Sequence, residues 1–479
     1  MRRLLLFVLV SCTVHAWAQE EAREWTLQEC VKVALDNNLA VKRSNYGVET
    51  ARINYVQSKM ALFPSLNVGG SYGTNSGRSL NPVTNQFINR NLNSINVQGT
   101  SSVTLFNGLR LQNTIRQNAR DYQASGKDLD KVKNDVTINV VTLYINVIFN
   151  QELYENARYQ LNSSQQQLDR IARQVAAGAL PKADQLNQEA QVATNEVNLI
   201  NQENALNLSL LQLKQAMQLP AGTPMRVAIP PLEPEDVILE ETPEQVYAAA
   251  EQTMPEIQSA KLRMESADAA LRAARGGLYP RLSLNGSMQS NYSSASDAPI
   301  TAPDGTFTVG TVPVGVVGGA GGQNVFLYQP NYTTVAEGYS ETDQLKDNLF
   351  RTASVVLTIP LFNGWQNRAA VERSVIQREI ANISAQETRN TLRQTIETAY
   401  NDALAAAKSY SASLKQVDAR EEAYRMATQR FEIGAVNYFE YQITENDLYR
   451  AKSDLARAKY NFIFRKKILD FYQGKPIDY

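Results

Sequence analysis

The stretch Val103-Thr104-Leu105-Phe106-Asn107-Gly108 returns 256 residues later as Ile359-Pro360-Leu361-Phe362-Asn363-Gly364. From that point the spacing of 256 holds without a gap, so Tyr144 faces Tyr400, Gly178 faces Gly434 and Pro220 faces Pro476. Upstream of the motif the copies align at a spacing of 216, which sets Phe63, Pro64, Leu66, Gly70 and Ser71 against Tyr279, Pro280, Leu282, Gly286 and Ser287. The second copy therefore carries about forty extra residues between Leu282 and Leu361. A long repeat with one localised insertion describes duplicated units side by side, with a loop enlarged at one end of one unit.

Each copy holds two kinds of segment. The first is short and alternating: Leu66, Val68, Gly70 and Tyr72 point one way, while Ser65, Asn67, Gly69 and Ser71 point the other. Leu282, Leu284, Gly286 and Met288 repeat this in the second copy. Return strands follow, Ile95 to Leu105 and Ala353 to Leu361, again with one apolar and one polar face. Strands of about ten residues with this pattern suit a membrane-spanning barrel, although one such hairpin alone would equally suit a water-exposed hairpin. Four strands cannot close a membrane barrel, because such barrels begin at about eight and every edge in lipid must be paired. The chain is expected to assemble, with eight strands from two copies or twelve from three.

The second kind of segment is long and helical. Gln366 to Ile433 contains neither glycine nor proline, and Leu109 to Ala177 contains only Gly126. An unbroken helix of that length runs roughly 100 Å. Val136, Val140, Leu143 and Val147 step by four, three and four, and Leu392, Ile396, Ala399 and Ala403 keep the register. Val192, Leu199, Leu206 and Leu213 step by seven, as do Leu448, Leu455, Phe462 and Leu469. These are seams for packing on another helix, and an extended coiled coil would show them too.

Composition narrows the chemistry. The N-terminus reads as an export signal over residues 1–18: Arg2 and Arg3, an apolar run from Leu4 to Val10, and Ala16-Trp17-Ala18 before Gln19. The alternative is a lipoprotein box ending in an acylated Cys12. Removing residues 1–18 removes the single histidine, His15, and leaves Cys30 as the one cysteine, which excludes histidine acid–base chemistry and multi-cysteine metal sites. No enzyme activity and no cofactor are expected. With 47 basic against 48 acidic residues, no nucleic acid partner is expected either. After residue 18 no apolar run is long enough for a membrane helix, so contact with a membrane must be made by strands.

The paired Leu-Phe-Asn-Gly motif, the aromatic-Pro pairs Phe63-Pro64 and Tyr279-Pro280, and Gly178 and Gly434 at the far helical turns resemble the outer membrane efflux protein family, the TolC-like proteins. The resemblance covers nearly the whole mature chain. It implies a mainly α fold with a membrane β-barrel, four strands and two long helical hairpins per protomer, assembled as a homotrimer in the outer membrane and reaching into the periplasm. It implies a first repeat over 19–218, with hairpin 65–106 and long helices 109–218. A Pro-rich linker over 219–242 follows. The second repeat covers 243–479, with hairpin 281–362, a long loop 291–348 and helices 364–474. That loop is expected as a flexible surface loop, with a plug or ligand-binding role as the other reading. A mixed band from Trp25 to Asn38, the linker and the C-terminal stretch would girdle the helices.

The resemblance further implies an exit duct of a tripartite efflux or type I secretion system, carrying substrate passively from an inner-membrane pump and a periplasmic adaptor; a secreted or periplasmic coiled-coil scaffold is the competing reading. It implies that adaptor hairpins dock on the tip turns Gly178-Ala179-Leu180 and Gly434-Ala435-Val436. Pro181 and Asn437 replace the family's usual hydroxyl residue there. An acidic residue six positions after each tip Gly, Asp184 and Glu440, would ring the periplasmic mouth, and Ile443 stands where some relatives place a further acid. Asp184 and Glu440 also suit the positive end of a helix dipole without any pore role.

Overall fold

The computed structural model describes residues 24–80, 87–89, 91–229, 241–294, 301–317, 321–334 and 339–475. The export signal, Cys12, and the middle of the 219–242 linker lie outside the described residues. In chain order the elements are β1 (Glu24–Trp25), α1 (Leu27–Asn37), α2 (Leu39–Met60), β2 (Ser65–Asn75), β3 (Arg78–Leu80), β4 (Phe87–Asn89), β5 (Leu92–Phe106), α3 (Arg110–Ala176) and α4 (Lys182–Ala216). There follow β6 (Arg226–Val227), α5 (Pro243–Thr253), α6 (Pro255–Gly276), β7 (Arg281–Ser293), β8 (Thr301–Val317), β9 (Gln323–Thr334), α7 (Glu341–Asp347), β10 (Phe350–Thr358), α8 (Gln366–Glu432) and α9 (Tyr438–Tyr472). The duplication is exact in length: α1 and α5 have 11 residues each, α2 and α6 have 22, α3 and α8 have 67, and α4 and α9 have 35.

Two compact units divide the chain, and α2, α3, α6 and α8 contribute residues to both. The first unit comprises residues 1–54, 117–268 and 376–479. Thr26 opens α1 with a capping box to Glu29, and Thr242 opens α5 in the same way with Gln245, satisfying backbone donors that a helix start leaves free. β1 and β6 pair in parallel. They close on a core of Leu27, Cys30, Val140, Tyr144, Val147, Leu213, Val227 and Ile463. Tyr144 is almost fully buried and donates its hydroxyl proton to Ala228 O at 2.6 Å, with Trp25 O 3.2 Å away. A second cluster joins Val246, Ala250, Met254 and Ile257 to Leu392 and Ile396. In these two clusters the N-terminal helix, the described part of the linker and α9 pack against the long helices, and the described part of the linker carries the short strand β6.

The helix seams follow the expected positions on α3, α8 and α9, where Val140, Val147, Leu392, Ile396, Leu448, Phe462 and Leu469 are buried. On α4 the seam is different. Val192, Leu199 and Leu206 are only half-buried, while Gln188, Asn195 and Ser209 join Leu213 in the buried row. The buried row lies three residues along from the expected one, on the neighbouring row of the same helix face, and Gln188 makes it workable by donating Nε2 to Ser164 O at 2.7 Å.

The second unit comprises residues 55–116 and 269–375. Its sheet runs β10-β7-β5-β2, all antiparallel, with strands of 9, 13, 15 and 11 residues. The register aligns the alternations up to a shift between Thr104 and Phe106. Val68 lies opposite Gly99, Gly99 opposite Met288, Val103 opposite Leu284 and Leu284 opposite Val355. One face is therefore mainly apolar across all four strands, with Ser101 and Arg351 in its rows, and the other carries Asn67, Asn96, Gln98, Thr100, Asn285, Ser287, Thr352 and Ser354.

The 291–348 loop departs from the expected flexible loop. Its described residues form a separate ribbon, β8 with β9, and the short helix α7. Alternating residues such as Phe307 and Val309, paired with Pro330 and Tyr328, favour strands despite three register shifts. No described helix is long and apolar enough to cross a membrane.

Candidate functional site

The tip turns at the far ends of the long helices are built twice by the same device. Gly178 and Gly434 adopt φ of +73° and +75°, a region that glycine enters without steric cost. At the first tip Gly178 N donates to Val175 O at 3.0 Å and Ala179 N to Gln174 O at 2.8 Å. At the second, Gly434 N donates to Phe431 O at 3.0 Å and Ala435 N to Arg430 O at 2.7 Å. Both helices thus end in Schellman motifs, which use the last carbonyls and reverse the chain.

The helices that leave the turns begin differently. Asn437 caps α9, its Oδ1 accepting from Glu440 N at 2.8 Å. Pro181 opens α4 with no side-chain cap, so that helix start relies on backbone, with Asp184 N donating to Pro181 O at 3.1 Å. The replaced hydroxyl position is therefore filled by one working cap and one conformational lock.

Asp184 and Glu440 each sit in the first turn of their helix, where a carboxylate meets the positive end of the dipole. Glu440 is exposed and lies 3.6 Å from the Arg430 guanidinium. Asp184 is half-buried and close enough to Tyr438 for its charge to help raise that phenol's pKa, after burial and Glu445.

What the sequence reading missed is an aromatic knot behind the tips. Leu180 of the first turn packs with Ile171 and Val175 of α3, Tyr424 and Phe431 of α8, and Tyr438 and Tyr441 of α9. The Phe431 and Tyr441 rings stack with centroids 5.0 Å apart, and the Tyr424 and Tyr441 hydroxyls lie 2.9 Å apart. Glu445 Oε1 accepts from Ser163 Oγ at 3.1 Å and from the Tyr424 hydroxyl at 3.4 Å. Burial pushes the Glu445 carboxyl above its ordinary value, against the pull of those two donors. The signal was available in the repeat: Tyr424, Phe431, Tyr438 and Tyr441 stand where the first copy has Leu168, Val175, Lys182 and Gln185.

The polar face of the sheet is the other candidate surface. It is lined by uncharged amides and hydroxyls, among them Asn67, Gln98, Thr100, Asn285 and Thr352, and it holds shallow hollows of about 400 and 250 Å³. Such a face, whose charge is confined to Arg281 at the start of β7 beside Ser283, suits water-filled passage more than capture of one ligand, since it offers no enclosure.

Comparison with known proteins agrees with this architecture. The family model described as outer membrane efflux protein matches residues 30–217 and 246–466, one match in each copy. The toluene efflux pump outer membrane protein TtgC of Pseudomonas putida is 22% identical over 444 residues, 90% of this chain and 78% of that protein. Outer membrane protein TolC of Escherichia coli is 21% identical over 468 residues, 96% of this chain and 84% of that protein. The crystal structure of the outer membrane protein VceC of Vibrio cholerae superposes with a TM-score of 0.70 at 13% identity, covering 94% of this chain and 97% of that one. The fold is TolC-like.

Proposed function

The chain belongs to the outer membrane efflux protein family, and from that premise we propose that three copies form an exit duct served by a periplasmic adaptor and an inner-membrane pump. The observation that carries the reading is the four-stranded sheet with β10 and β2 as edges unpaired among the described residues. Its one face is mainly apolar and its other face polar. Open edges are not tolerated in lipid, and twelve strands leave room for a lumen where eight would fill with side chains. Substrate then moves past the polar face, driven by energy spent on the pump. The paired tip turns, Gly178-Ala179-Leu180 and Gly434-Ala435-Val436, are the docking points for the adaptor. Asp184 and Glu440 belong to the constriction at the periplasmic mouth, where gathered carboxylates repel one another and draw cations.

The test is fractionation followed by reconstitution. A heat-resistant trimer in outer membrane extracts that conducts ions in planar bilayers is the expected result. A soluble, salt-extractable rod without conductance would instead make the protein a coiled-coil scaffold.

A further inference from the structure

Within the first unit lies a cavity of about 560 Å³, at a place where parts of both copies meet. One wall belongs to the first copy, with Leu27 and Val31 from α1 and Val141 from α3. The facing wall belongs to the second copy, with Met254 and Pro255 at the joint of α5 and α6 and Phe471 near the end of α9. The joint is fixed by sequence, because Pro255 disfavours helical backbone at Met254, which stands at φ −67° and ψ 128° and ends α5. The end of α9 folds onto the same joint. Gly474 turns the chain at φ +81°, and a Cβ there would stand 3.5 Å from Thr253 Cγ2. Two lysines complete the lining. Lys475 is taken up by Glu241 and Asp470, each 3.6 Å away, whereas Lys32 makes no ion pair among the described residues.

The duplication supplies an internal comparison. With the spacings of 216 and 256, the wall of α1 and α3 corresponds to a wall of α5 and α8, where Tyr247 replaces Val31 and Arg393 replaces Thr137. Those two side chains stack, the guanidinium 4.7 Å from the ring centre, and Tyr247 packs against the cluster of Val246 and Leu392. The second copy thus carries its own ring and its own cation on that wall. The first copy has the smaller Val31 and Thr137 there, and its cation sits on α1 as Lys32, where the second copy has Ala248.

We propose that the cavity binds a small aromatic carboxylate, with its ring between Val31, Met254 and Phe471 and its carboxylate on the Lys32 ammonium. The volume is in the range that small ligands occupy. Aromatic and thioether side chains favour a ring over a plain acyl chain. An ammonium at the edge of an apolar wall attracts an anion more strongly than one in open water, and it repels an amine. The ligand would touch α1 of one copy and the α5 and α6 joint of the other, so its binding would tie the two copies together. The site lies in the first unit and does not depend on the ring of three chains.

The test uses the purified full-length protein and naphthylacetate as probe, with naphthaleneethanol as its uncharged match, read by isothermal titration calorimetry at one fixed detergent concentration. The acid should bind saturably, once per chain, and about fivefold to tenfold more tightly than the alcohol, the difference between a charged and a neutral hydrogen bond. Lys32→Met keeps the apolar stem and should bring the acid down to the affinity of the alcohol. Val31→Tyr with Thr137→Arg carries the second-copy wall into the first and should abolish binding of both probes. Should that double variant melt at a lower temperature than the unaltered protein, Lys32→Met decides alone. No saturable binding of the acid, equal affinity for acid and alcohol in the unaltered protein, or a preference for the acid that survives Lys32→Met overturns the proposal. Binding that persists in a normally folded Val31→Tyr, Thr137→Arg variant places the probe elsewhere and overturns it too.

Discussion

Arg430 reaches across the second tip turn to Glu440 at 3.6 Å, joining a cation in the last turn of one helix to an anion in the first turn of the next. At the first tip Gln174 holds the position of Arg430, and no such ion pair spans that turn among the described residues. The two members of the proposed mouth therefore differ in how far a neighbouring cation offsets their charge.

Asp184→Ala should raise single-channel conductance in planar bilayers and weaken block by multivalent cations, with Glu440→Ala adding only a minor share. An exposed pair like Arg430 and Glu440 contributes about 0–1 kcal/mol, so stability should hardly change in either variant. Unchanged conductance and block in the double variant would withdraw both residues from the mouth.

Gly276 and Gly364 should respond differently to alanine although both lie beside a Leu-Phe-Asn-Gly turn. Gly276→Ala forces a Cβ to 2.8 Å from Gly108 O and should cost on the order of 2–4 kcal/mol, read as a large drop in thermal stability in detergent. Gly364→Ala meets open space but keeps φ at +62°, so its cost should be about 1–2 kcal/mol from backbone strain alone. Equal losses would show that the packing at Gly276 is not what limits that site.

Glu445 should give the tip region a pH dependence. Its carboxyl is held above the ordinary 4.5, with Tyr424, Tyr438, Tyr441 and Tyr449 around it and its charge among the causes that raise all four phenols. The folded state thus holds the proton more tightly than the unfolded one. The resulting stability is fully present below about 4.5 and is lost as pH rises through the raised value. Glu445→Gln should flatten that slope in thermal melts between pH 4 and 8 while keeping the Ser163 and Tyr424 partners. A slope that survives the substitution must come from other groups.

Gln218 offers a stabilising change. It ends α4 at φ +58°, in the Schellman position that Gly474 fills at the end of α9. Gln218→Gly should stabilise by about 0.5–1 kcal/mol by relieving the left-handed side chain, and denaturant or thermal melts would register it.

Replacing residues 301–334 by a short turn should leave trimer yield and the four-stranded sheet unchanged, because β8 and β9 pair only with each other among the described strands. Circular dichroism and native gels would reveal any dependence of the sheet on the ribbon.

Most of the fold was legible because two physical patterns are local. Period-two alternation marked the apolar face through Leu66, Val68 and Tyr72, and the missing Gly and Pro marked the extent of α8. The ribbon was less legible because Pro303, Pro313, Pro330 and the run from Gly315 to Gly322 read as loop, while strand pairing between β8 and β9 is a non-local gain. The buried Gln188, Asn195 and Ser209 were missed because a polar side chain in a helix seam is admissible only when a partner carbonyl is near, as Ser164 O is for Gln188. At the tips, the turn glycines carried their own sign. The knot of Tyr424, Phe431, Tyr438 and Tyr441 draws on two helices that no spacing rule joins.

The equal lengths of the paired helices restrict how this chain can evolve. One residue added to α3 and not to α8 would rotate everything downstream by about 100°, swinging Leu180 off the aromatic knot that it now packs against. Between the copies these helices differ at many positions, yet their lengths are equal. Length variation is left to the connection between β7 and β10, the one place where the two copies differ in size.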